Sequence, residues 1–184
     1  GLTPTLNREM ARLHAGAHSA ESIRDLLRSL EFIYAALAVV MVLVVWGAAP
    51  AMGTVWLKAE QLPSSIVVDS IRVMGFVLAM RWLEQIYRGA LQGLQDFVWL
   101  NAAHAALSTL RWGGAYIVVA FVSPTVEAFF YWQGAVSLLT VAVLIRRTYL
   151  TLPPAARHGH FEVDALRSVM QFAGGMFIGS VLAL

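Results

Sequence analysis

The run from Phe32 to Leu57 carries no Asp, Glu, Lys or Arg. An apolar helix of about 20 residues crosses the roughly 30 Å hydrocarbon core of a bilayer, and this run is longer than that. Only a helix satisfies every backbone N–H and C=O group within such a segment. Composition extends the argument to the whole chain of 184 residues, which is 59% hydrophobic and 13% charged. A water-soluble domain holds about 25% charged residues, so this chain has too little charge to cover a surface facing water. The fold class that follows is an all-α integral membrane protein.

Further apolar stretches fill out a plan of about five transmembrane helices. Spans are expected at 32–57, 64–87, 97–122 and 126–145, with Ser123-Pro124-Thr125 as a tight turn and a fifth apolar run from Ser168 to Leu184. Residues 1–30 are amphipathic, with Leu6, Met10, Leu13, Ile23, Leu26, Leu27 and Leu30 at helical spacing, and read as a connection on the membrane surface. Ser22 to Asp25 reads as a capping box at the start of a helix, Gly16 as a break between two short ones, and Pro50 and Gly53 as the end of the first span. Arg146-Arg147 reads as the stop of the fourth span, and 148–167 as a polar loop. The chain begins at Gly1 and ends within an apolar stretch, so this reading expects a piece of a longer protein.

Charge orients the plan. Arg8, Arg12, Arg24, Arg28, Arg81, Arg88, Arg146, Arg147, Arg157 and Arg167 fall in connections on one side, against Lys58 on the other. By the positive-inside rule the N-terminal segment is cytoplasmic.

Several functional classes lose support at this stage. There is no cysteine, hence no disulfide framework, thiolate metal site or cysteine nucleophile. The net charge of +2 is small and dispersed, unlike a nucleic-acid-binding surface. No phosphate-binding loop, nucleophilic triad or intramembrane zinc motif is present, so neither an enzyme nor a cofactor is expected. His158, His160 and Glu162 alternate beside Pro153-Pro154, a pattern read as a solvated loop in preference to a metal site.

Charges inside the spans are the candidates for function. An Asp or Arg at the centre of a spanning helix costs about 2.5–3.5 kcal/mol on insertion scales and calls for a partner or a wet cavity. Asp69 and Arg72 stand three residues apart, and pairing on one helix face is expected. Counting 1.5 Å per residue from the span ends places Arg72 about 12 Å and Arg111 about 16 Å deep, at similar levels. Two guanidiniums and one nearby carboxylate suit either an anion-attracting lumen or a structural network, and both readings stay open. His104, within the alanine-rich stretch Asn101 to Ala106, is expected as an interhelical hydrogen-bonding residue in preference to a polar proton relay. Phe129 to Trp132 are expected as an interfacial aromatic belt.

Three stretches carry a family likeness. Gly1-Leu2-Thr3-Pro4-Thr5-Leu6-Asn7-Arg8-Glu9, Tyr87-Arg88-Gly89-Ala90-Leu91-Gln92-Gly93-Leu94-Gln95, and Asn101 to Arg111 resemble helix connections and a helix of the polysaccharide (O-antigen) flippases of the MATE/MOP exporter superfamily. The spacing of spans resembles helices 3–7 of that family. The resemblance implies a transporter of the inner (plasma) membrane. It would move lipid-linked oligosaccharide across the bilayer by alternating access, with a coupling cation and without catalytic residues. Arg72 and Arg111 would then line a cationic cavity for the anionic headgroup, with Asp69 supporting Arg72. A multidrug or cation antiporter of the same fold, a polysaccharide-biosynthesis membrane enzyme and a membrane scaffold are the alternatives.

Overall fold

The computed structural model describes residues 6–8, 10–11, 20–56 and 63–153, and all regular structure among them is helical. Four long helices follow one another: α1 (Ala20–Ala51), α2 (Ser64–Gly93), α3 (Phe97–Ile117) and α4 (Val126–Thr151). Short π-helical turns, Met52–Trp56 and Val118–Val122, extend α1 and α3. The fifth apolar run, the polar loop beyond Pro153, Gly16 and the His158/His160/Glu162 group lie outside the described residues.

Three stretches are long and apolar enough to cross a membrane: Glu21–Thr54, Phe97–Val122 and Val126–Thr151. Helix α2 has the length, 30 residues or about 45 Å. It is not among the three, because Asp69, Arg72, Arg81, Glu84 and Arg88 lower its apolar content.

Helices α2, α3 and α4 start at the expected Ser64, Phe97 and Val126, and Phe97–Val122 matches the expected third span, while the start of α1 and the ends of α2 and α4 depart from the plan for one physical reason. A change from polar to apolar sequence marks a change of surroundings, whereas a helix ends only where backbone hydrogen bonding ends. Thus α1 begins at Ala20 and passes unbroken through residue 30 into the apolar run, so Ser22 lies inside the helix. Pro50 also lies within α1, and the Thr54 hydroxyl donates to the Pro50 carbonyl at 2.8 Å. At the other end α4 continues through Arg146-Arg147 to Thr151.

The α2–α3 joint is a Schellman motif. The Asp96 N–H bonds the Leu91 carbonyl and the Gln95 N–H bonds the Gln92 carbonyl, both at 3.0 Å, with Gln95 at φ 60° in the left-handed region. A left-handed non-glycine residue costs roughly 1–2 kcal/mol. Gln95→Gly is therefore expected to stabilise the protein by about 1 kcal/mol, read as a higher midpoint in detergent-solubilised unfolding; an unchanged or lower midpoint would refute the assignment. At the other joint, Thr125 caps α4, its hydroxyl accepting the Ala128 N–H at 3.2 Å.

The chain divides into two compact units, and each helix contributes to both. The first holds residues 1–35, 84–100 and 144–184. Its described core contains Leu6, Met10, Ile23, Leu27, Leu30, Ile86 and Leu91, all at most 1% exposed. The second holds residues 36–83 and 101–143. Small residues permit close approach there: a Cβ on Gly75 would meet Val45 at 2.6 Å, and Gly114 leaves room for the Trp132 ring. Trp46 ties α1 to α2 by donating its indole N–H to the Arg72 carbonyl at 3.0 Å.

Candidate functional site: a polar stripe and an apolar cavity in the second unit

Helix α4 presents an inverted polarity within residues 126–143. Its buried positions include Gln133, Ser137 and Thr140, at i, i+4 and i+7, while Tyr131, Leu138 and Leu139 face outward. That spacing sets the three polar side chains on one helical face. In water the arrangement would be upside down, whereas in a bilayer it places polar groups away from lipid.

Arg111 of α3 packs against this stripe. It is 6% exposed, and its Nη2 donates to the Thr140 hydroxyl at 3.4 Å. The Thr140 hydroxyl in turn donates to the Val136 carbonyl at 2.7 Å. Trp132 closes the same α3–α4 seam, its indole N–H lying 3.3 Å from the Leu110 carbonyl and 3.2 Å from that of Arg111.

The other expected residues take different places. Asp69 and Arg72 come together, with Nη1 to Oδ1 at 2.9 Å, but their side chains are about half exposed. Arg72 and Arg111 therefore have separate partners, one an aspartate and the other a threonine, and very different burial. His104 is exposed on α3, as are Ala102, Ala105 and Ala106. The expected aromatic belt is divided: Tyr131 faces outward, Phe129 and Phe130 line a cavity, and Trp132 bonds to α3. Four consecutive helical residues sweep about 300° around the axis and do not share one face.

That cavity has a volume of about 560 Å³, within the 300–1,000 Å³ range of ligand pockets. Val45 and Met52 of the α1 region, Ile71, Met74, Gly75, Val77 and Leu78 of α2, Trp112 of α3 and Phe129 and Phe130 of α4 make its wall apolar. Arg81 and Gln133 are its polar lining residues. The positive-inside count places Arg81 in a connection, but it lies inside α2. The signal for Gln133 was present in the sequence, since Gln133, Ser137 and Thr140 recur at helical spacing inside an otherwise apolar run.

A second polar cluster belongs to the first unit and was not singled out by the sequence. Glu31, whose side chain is 11% exposed, accepts from three donors. These are the Tyr87 hydroxyl at 3.1 Å, the Tyr149 hydroxyl at 2.9 Å and Arg28 Nη1 at 2.9 Å. Nearby in the chain, Arg147 pairs with Asp96 at 2.7 Å and stacks over the Trp99 ring at 5.0 Å. With two tyrosyl hydroxyls and one guanidinium N–H donating to the same carboxylate, the Glu31 cluster joins α1, α2 and α4. No family model, curated protein or solved structure matches the chain.

Proposed function

We propose that this chain is part of a membrane transporter, a flippase that carries an anionic lipid-linked oligosaccharide across the plasma membrane by alternating access. The N-terminal segment is assigned to the cytoplasmic side. The observation that carries the reading is the buried guanidinium of Arg111 against the polar stripe of α4, inside two stretches apolar enough to cross a membrane. A buried cation in such helices is expensive and marks a path for a charged or polar solute. A guanidinium with hydroxyl neighbours suits phosphate oxygens, because its planar fork donates two hydrogen bonds at once. The sequence resemblance to polysaccharide flippases supports the same reading, and the Asp69–Arg72 pair adds a second cation within α2.

Transport of a short-chain diphosphate-linked oligosaccharide in proteoliposomes tests the proposal. Hydrogen bonds to charged groups contribute about 1.5–3 kcal/mol, so Arg111→Gln is expected to lower the rate by about tenfold to a hundredfold. Arg111→Lys should recover part of it. Full transport by a folded, monodisperse Arg111→Gln protein would overturn the assignment.

A further inference from the structure

The apolar cavity of the second unit shares Gln133 with the polar stripe of α4, but neither Arg111 nor Thr140 lines it. Along α2 it extends from Ile71 to Arg81, about 15 Å at 1.5 Å per residue. That is half of the roughly 30 Å hydrocarbon thickness, the depth of one leaflet. Trp112, Met74 and Leu78 on its rim are each at least half exposed, so the cavity opens outward. A water-filled pocket of this depth with so apolar a wall would be costly, and a hydrocarbon chain would bury it.

Two polar groups specify more than a hydrocarbon. Gln133 is 6% exposed, and its Nε2 has no hydrogen-bond partner among the described residues. A buried amide N–H₂ left unbonded costs free energy that an acceptor from a ligand would recover. Arg81 lines the same cavity, is exposed, and makes none of the ion pairs found among the described residues. Its charge calls for an anion, and its planar fork matches a phosphate.

We propose that this cavity is a binding site for an anionic phospholipid of the surrounding bilayer, with one acyl chain in the apolar pocket, the phosphate on Arg81 and an ester carbonyl on the Gln133 amide. It gives the helices a bound lipid that fills the space between α1, α2 and α4 in the second unit.

Photolabelling in nanodiscs tests the site. The protein is reconstituted in phosphatidylcholine with a minor fraction of phosphatidylglycerol bearing a diazirine on one acyl chain, and crosslinked peptides are mapped by mass spectrometry. The expected result is labelling of the peptides that contain Met74 to Arg81 and Phe129 to Gln133, stronger than with a matched phosphatidylcholine probe. A basic side chain contributes about 1 kcal/mol toward an anionic lipid, so Arg81→Gln should lower labelling about fivefold. Leu78→Trp, at a half-exposed position on the rim, should fill the pocket and abolish labelling. Equal labelling by the two probes, or labelling that survives both substitutions, would overturn the proposal. Displacement of the probe by an equal mole fraction of polyprenyl phosphate would also overturn it, by making the cavity a site for the transported lipid.

Discussion

Replacing Glu31 with alanine should destabilise the protein by about 2–4 kcal/mol, more than the loss of any one of its partners. The asymmetry follows from the geometry. Glu31 is the common acceptor for Tyr87, Tyr149 and Arg28, which come from α2, α4 and α1. Without it, two tyrosyl hydroxyls in part-buried hydrogen bonds have lost their acceptor, and a stranded buried donor costs roughly 1–3 kcal/mol. Arg28 adds little to this sum, because its side chain is 60% exposed and such pairs are screened by solvent. Tyr87→Phe removes a single bond and leaves the carboxylate two other donors, so about 1 kcal/mol is expected. In the Glu31→Ala background the same Tyr87→Phe change should cost nearly nothing or stabilise, since the hydroxyl there has lost its acceptor. A double-mutant cycle read by denaturant unfolding in detergent measures the coupling. Additive effects of the two substitutions would show that the cluster does not act as a unit.

This cluster also marks the limit of what the sequence makes legible. Of the about five spans expected from the apolar runs, three are helices apolar enough to cross a membrane, because burial in lipid demands length and apolarity that composition displays directly. Polar residues that meet across helices leave no such local signature: Tyr87 and Tyr149 lie 56 and 118 positions from their common partner Glu31. Depth counting suffers in the same way. It placed Arg72 and Arg111 at one level, but depth along an axis says nothing about which way a side chain faces. Arg72 is partly exposed beside Asp69, and Arg111 is buried beside Thr140. Gln133 was readable in principle, as part of the i, i+4, i+7 polar row that an apolar helix places inward. Helix ends were obscured because Arg24 to Arg28 and Arg146-Arg147 change the surroundings of α1 and α4 without interrupting their hydrogen bonds.

The stretches Leu6 to Asn7 and Tyr87 to Gln95, read separately in the sequence, meet in the first unit at Gln92 and Gly93. The Asn7 amide donates to the Gln92 side-chain oxygen at 3.4 Å. A Cβ on Gly93 would fall on the Asn7 carbonyl oxygen and within 2.5 Å of the Met10 Cβ. Two effects of Gly93→Ala oppose each other. Alanine gains about 1 kcal/mol of helix propensity over glycine. Against this, the obstruction includes backbone, which does not swing aside as a flexible side chain does, and overpacking of this kind costs typically 1–3 kcal/mol. If Leu6 and Met10 lift away to relieve it, both buried side chains are exposed, each with about 1.5–3 kcal/mol of burial. Crowding therefore wins, and Gly93→Ala should destabilise by about 2–4 kcal/mol. Gly113→Ala provides the internal control, since a Cβ there meets nothing within 4 Å; it should be neutral or stabilising by up to about 1 kcal/mol. The chain contains no cysteine, so a single Met10→Cys substitution reports on the contact through its reactivity toward a thiol reagent. Protection of that thiol in the Gly93 protein and its rapid modification after Gly93→Ala is the expected pair of results. Equal protection in both, with unfolding midpoints that match the Gly113→Ala control, would mean that Gly93 is not what holds the N-terminal segment against α2.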